Sequence, residues 1–168
     1  MRFATRLLGL GCLATLPALL SGCGFAPLYA QAGLTHNLAQ IDIQTPQTRT
    51  GYFLEQQLRN SLAEDTSKPK LYTLKVTLKE NHYQVGYRVD DTATRSELTD
   101  NVGYVLKDAQ TGKVLLSNFF TETVTYNASQ SPFTGIVSQQ DAQERVAASA
   151  AEKIQLAVAV YFHDKKPQ

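Results

Sequence analysis

The chain predicts an α+β fold: a two-layer sandwich with two helices packed on one face of a mainly antiparallel four-stranded sheet, in the order β-α-β-β-β-α. Three observations predict it. Leu71 to Glu80 alternates apolar and polar residues with a period of two; two later segments carry strand patterns of their own; and two stretches place apolar residues at helical spacing. One apolar sheet face and two apolar helix stripes satisfy each other when stacked as two layers.

Ala39 to Ile43 alternates as a short half-buried strand. Thr50 is placed to cap a helix reaching about Ala63, with Leu54, Leu58 and Leu62 recurring on one face, and the stretch Glu64 to Lys70 with its Pro69 ends it. In the next strand Tyr72, Leu74, Val76 and Leu78 point one way, and Thr73, Lys75, Thr77 and Lys79 the other. The apolar set then moves to Tyr83, Val85 and Tyr87. That change of phase predicts a bulge near Asn81 and favours a core position for both tyrosines over one on the outward face. A turn at Asp90 and Asp91 leads into a strand where Leu98, Val102, Tyr104 and Leu106 share a face. Asp108 to Gly112 turns the chain again into Val114 to Tyr126. After a loop of about eleven residues, Ser138-Gln139-Gln140-Asp141 has capping-box spacing and opens the last helix, whose apolar face includes Val146, Ala150, Ile154 and Val158.

Ahead of the domain, residues 1–22 read as a secretion signal. Arg2 and Arg6 precede a mostly apolar run from Leu7 to Leu20, and Leu20-Ser21-Gly22-Cys23 looks like a bacterial lipobox. The run is broken by Pro17 and falls short of the roughly 20 apolar residues a membrane span needs. A signal cut by ordinary signal peptidase and an uncleaved anchor are the other readings. On the lipobox reading Cys23 becomes the first mature residue, with an N-acyl group and a diacylglyceryl thioether, and no other cofactor is expected. Each buried acyl methylene contributes about 0.8 kcal/mol, so several chains anchor stably where one does not. Residues 23–37 are then a lipidated extended lead, 38–162 one α+β domain and 163–168 a polar tail. Gly24, in place of an acidic residue after the cysteine, is similar to the pattern of lipoproteins exported to the outer membrane.

Loss of residues 1–22 removes Cys12 as well as Arg2 and Arg6, leaving 14 basic against 15 acidic residues, a formal charge of −1. With Cys23 lipidated, no thiol remains for a disulfide, and stability must come from an apolar core. Nucleic acid is an unsuitable partner for a chain without a basic excess. The nucleophile-elbow, zinc-helix and phosphate-loop motifs are all missing, and His36, His82 and His163 have no close ligand spacing, so neither an enzyme nor a metal site is expected.

Three segments together resemble the outer-membrane lipopolysaccharide-assembly lipoprotein family LptE, in its alphaproteobacterial form. They are Cys23-Gly24-Phe25-Ala26-Pro27-Leu28-Tyr29; Leu98-Thr99 followed by Val102 to Asp108 and Thr111 to Leu115; and Tyr126 to Phe133 with Asp141 to Arg145 and the helix ending Val160-Tyr161-Phe162. The resemblance implies a non-enzymatic protein that plugs the LptD β-barrel, helps that barrel to assemble and itself binds lipopolysaccharide on its way to the outer leaflet. It also implies an outer-membrane location, with the domain in the periplasm or inside the barrel lumen. Where some family members carry a basic residue before the last helix, this chain has the uncharged run Phe133 to Ser138.

The candidate residues follow. Cys23 is the lipidation site, and Phe25, Pro27, Leu28 and Tyr29 are either an apolar tether or a docking segment against a barrel wall. Arg88 and Arg95 flank Asp90-Asp91, where they either pair with the aspartates or meet lipid A phosphates, which guanidinium groups bind in bidentate fashion. Lys75 and Lys79 line the outward strand face, for solubility and edge protection or for contact with barrel or glycolipid. A lipid-anchored interaction module for a different envelope partner is the competing reading.

Overall fold

The computed structural model describes residues 34–87, 89, 93–128 and 131–165. A short helix α1 (Leu34–Ala39) leads into strand β1 (Ile41–Gln44) and helix α2 (Arg49–Ser61). Strands β2 (Tyr72–Tyr87), β3 (Ala93–Asp108) and β4 (Val114–Asn127) follow, and the 33-residue helix α3 (Pro132–Asp164) closes the domain. The sheet order is β1-β2-β3-β4, the order of the chain. β2 and β3, and β3 and β4, are antiparallel hairpins, while β1 lies parallel to β2 because α2 carries the chain back between them. The expected α+β sandwich is therefore present, with a mixed sheet.

Burial follows the two periodicities. Leu54 and Leu58 of α2, Leu74 and Val76 of β2, Leu98, Val102 and Leu106 of β3, and Val146, Ile154 and Val158 of α3 are all buried. Each such side chain contributes about 1.5–3 kcal/mol when fully withdrawn from water. Tyr72 meets Phe162 edge-on at 4.9 Å between ring centroids, joining β2 to the last turns of α3. Among the described residues, the other sheet face carries no helix.

Several local features differ from expectation. Thr48, not Thr50, caps α2: its backbone is extended and its side chain accepts from the Gly51 amide at 3.0 Å. Thr50 lies inside the helix, buried, and its hydroxyl donates to Glu80. Helix α3 begins at Pro132, six residues before the capping box, because proline suits the first helical position where its missing N–H is no loss. The expected loop is thus largely helix, and Ser138 to Asp141 lie within it. Residues 34–37, expected as part of an extended lead, belong to α1.

No bulge occurs at Asn81. The β2–β3 pairing keeps one register from Tyr72↔Asp108 to Tyr87↔Ala93, and a shift is found instead between β3 and β4 at Leu106/Lys107. With the pleat uninterrupted, the helix-facing side of β2 continues from Leu78 through Glu80 to His82. Tyr83 and Tyr87 consequently emerge on the open face, both more than half exposed, and not in the core. The strand changes polarity without changing phase. At the β3–β4 turn the Asp108 carboxylate accepts from the amides of Gln110 at 3.1 Å and Thr111 at 2.8 Å, and Gly112 takes the positive φ of 69° that closes the turn.

Candidate functional site

The pleat sends alternate residues of β2, β3 and β4 to the open face, and register aligns them in rows. Thr77, Gly103 and Phe119 form one row, Lys79, Asn101 and Thr121 the next, and Asn81, Thr99 and Thr123 the one after. Most of these groups are neutral and hydrogen-bond across the strands. The Thr77 hydroxyl donates to the Gly103 carbonyl at 3.2 Å, Thr99 and Thr123 share a hydroxyl contact at 3.2 Å, and Thr121 donates to Asn101 Oδ1 at 3.0 Å. Gly103 leaves room for the Thr77 hydroxyl at the centre, since a Cβ there would stand 2.8 Å from Thr77 Oγ1. Lys75 and Lys79 are exposed along the β2 side, and Phe119 projects 82% exposed from β4. Toward the β2–β3 hairpin end the same face carries Tyr83, Tyr87 and Arg95.

A groove of about 520 Å³ lies where the end of β4 meets the early turns of α3. Arg95, Thr125, Tyr126 and Asn127 line it from the sheet, and Val137, Ser138, Asp141 and Arg145 from the helix. Arg145 is held from two sides: Nε donates to Asp141 Oδ2 at 2.9 Å and a terminal nitrogen donates to the Thr125 carbonyl at 3.3 Å. Two guanidinium groups and three hydroxyl-bearing side chains in one open groove suit a phosphate or another compact oxyanion. Beside the groove α3 exposes Phe133, Ile136 and Val137. A second groove, about 370 Å³, opens where β1 stops and β2 continues; Pro46, Lys75, Val76 and Thr77 are among its walls.

Of the residues singled out by sequence, Arg95 enters the arginine groove, while Lys75 and Lys79 lie on the open face, Lys75 also lining the second groove. Cys23, Phe25, Pro27, Leu28, Tyr29 and Arg88 fall outside the described residues, as do Asp90 and Asp91. Arg145 and Phe119 escaped the sequence reading. An arginine four residues after an aspartate is the ordinary mark of a solvated helix pair, and only the approach of α3 to Thr125 gives Arg145 a place in the groove. Phe119 sits on the polar side of a strand whose register was not readable. Among the described residues no group of three His, Cys, Asp or Glu side chains could hold a metal, and no helix is long and apolar enough to cross a membrane.

The family model described as LptE, lipopolysaccharide-assembly, matches residues 38–158, nearly the whole described domain. The chain belongs to the LptE family. Among solved structures, the LptE-family fold here is similar to a protein of Caulobacter crescentus CB15 designated a lipoprotein. The two are 37% identical with a TM-score of 0.70, and the match covers 82% of this chain and 100% of that one. A minor lipoprotein of Acinetobacter baumannii is similar at 15% identity and a TM-score of 0.55, over 73% of this chain and 92% of the other. The rare lipoprotein B of Shewanella oneidensis is similar at 11% identity and a TM-score of 0.56, over 74% and 97%. At such identities the last two speak for the fold alone. No curated protein matches the sequence. The LptE family places this chain among envelope proteins of lipopolysaccharide assembly.

Proposed function

We propose that this protein is an outer-membrane lipoprotein, anchored through Cys23, that plugs and helps assemble an LptD-like β-barrel and assists lipopolysaccharide insertion into the outer leaflet. The observation that carries the docking part is the open sheet face. It is mostly neutral and already hydrogen-bonded across its own strands at Thr77, Thr99 and Thr121, so enclosing it leaves few polar groups unpaired apart from Lys75 and Lys79 on the β2 side. A barrel lumen is a surface of that demand. The groove between Arg95 and Arg145 supports contact with the phosphates of lipid A, because its cationic groups stand at the rim of that face. The chemistry is recognition and burial, with no reacting group assigned. Phe25, Pro27, Leu28 and Tyr29 are proposed as the segment that docks first, beside the lipid.

The test is a detergent pull-down of the tagged, mature protein from its native envelope, with the partner identified by mass spectrometry. A one-to-one complex with a large outer-membrane barrel is expected. Recovery with a different envelope assembly, or alone, would overturn the barrel partnership and favour an interaction module for another partner.

A further inference from the structure

The helix-facing side of the sheet holds an unexpected row. Register pairs Glu80 of β2 with Asp100 of β3, and Asp100 with Glu122 of β4, so three carboxyl groups stand side by side beneath the helices. Asp100 is 1% exposed and Glu122 9%. The outer two are well supplied. Glu80 accepts from the Thr50 hydroxyl of α2 and, on Oε1, from the Gln143 side-chain amide of α3 at 3.0 Å, and contacts His82 Nε2 at 2.6 Å. Glu122 pairs with Lys153 and accepts from Ser149 at 3.0 Å, both from α3. The middle one is not: Asp100 Oδ1 is buried with no hydrogen-bond partner among the described residues, and, unlike Glu122 Oε1, which also lacks a hydrogen bond but pairs with Lys153, it has no ion-pair partner; Gln143 Oε1 is likewise without a hydrogen bond.

Counting charge over the row gives three carboxyl groups against Lys153 and, when protonated, His82. A third cation is missing, and a buried unpaired carboxylate is costly. We propose that the Glu80–Asp100–Glu122 row is a proton-binding cluster, in which Asp100 takes up one proton in mild acid and thereby tightens the packing of α2 and α3 on the sheet. The groups facing Asp100 are Glu80 and His82 from β2 and Glu122 from β4. Thr50 from α2 and Gln143, Ser149 and Lys153 from α3 complete the surroundings of the row.

Burial, and then the Glu80 charge, push the Asp100 carboxyl up to about 6 from its ordinary 3.8. A carboxyl raised on folding binds its proton more tightly in the folded chain, so stability increases as pH falls through 6 toward 4. From pH 7.5 to pH 5 the folding equilibrium constant should rise about tenfold.

The experiment is urea unfolding of the full-length protein in detergent micelles from pH 8 to pH 5, for the wild type and Asp100→Asn. The asparagine mimics the neutral acid, so the variant should be the more stable at pH 7.5 and should lose most of the slope. A wild-type constant that stays flat or falls on acidification, or a variant that keeps the full slope, would overturn the proposal. Should Asp100→Asn fail to fold, the carboxyl-carbon NMR titration of Asp100 in the wild type decides: a midpoint near 6 supports the cluster, and one below 4.5 overturns it.

Discussion

Gly51→Ala in α2 should destabilise the domain, against the usual rule. In an ordinary helix interior this substitution is worth about 1 kcal/mol in favour of alanine. Here the added Cβ would stand 2.1 Å from the Pro46 carbonyl oxygen and 3.1 Å from its carbon. Those are backbone atoms, and the oxygen already accepts from the Thr48 amide at 2.8 Å. To make room, the chain entering α2 must move, which also pulls Thr48 Oγ1 off the Gly51 amide. Overpacking costs about 1–3 kcal/mol and a lost threonine cap about 1 kcal/mol. Set against the gain in helix propensity, the net loss is about 1–3 kcal/mol, or roughly 3–10 °C in Tm for a domain of this size. Thermal and urea unfolding followed by circular dichroism would read it. A variant as stable as the wild type would show that the Pro46 carbonyl does not seat against the helix, and the account of how β1 hands over to α2 would fail.

Other outcomes follow from the same structure. Ile154→Ala, at a fully buried position of α3, should cost about 2–5 kcal/mol in urea unfolding. Ala63 follows the end of α2 with a φ of 51°, so Ala63→Gly should stabilise by about 1 kcal/mol, a rare case where glycine helps. Arg95→Ala and Arg145→Ala should each weaken binding of purified lipopolysaccharide several-fold at low ionic strength, with a smaller difference in high salt, as isothermal titration calorimetry would report. Unchanged affinity in both would remove the groove as a phosphate site. At the acid end, burial pushes the Glu80 carboxyl up, but hydrogen bonds from Thr50, Gln143 and His82 outweigh it and hold it below its ordinary 4.5. Its contribution is intact above that pH and is lost as pH falls further, so in the Asp100→Asn background, where proton uptake by Asp100 does not offset it, a fine pH series of unfolding should show stability declining below about pH 4.5.

The layers and the helix faces were legible because they rest on periodicity. Leu54, Leu58 and Leu62, and Leu74 and Val76, are buried as their spacing required. The start of α3 was obscured because Pro132 and Gly135 signal loops in most settings, and only the extended Ser131 backbone before Pro132 marks the helix end. The reading of β2 failed for a different reason. Tyr83, Val85 and Tyr87 form a correct alternation, but hydrophobicity alone does not say which face is inside once the core-facing side turns polar. Glu80 on that side finds partners from α2 and α3, more than sixty residues apart from one of them, and no local pattern announces such a meeting. The arginine groove was half legible for the same reason: Arg95 stood out beside a turn, while Arg145 depends on where α3 lands.

The position of α3 in the chain has a kinetic consequence. Each hairpin pairs neighbours in sequence, so β2, β3 and β4 can zip locally and early. Their inner face, with Leu74, Leu98, Val102 and Leu106, then stays open to water until the last 33 residues of the domain arrive. A chain stopped before Pro132 would present that face as a sticky sheet with a bare edge at β4, a species built for aggregation. Truncation ahead of α3 should therefore be read out as loss of soluble protein before it is read out as loss of stability.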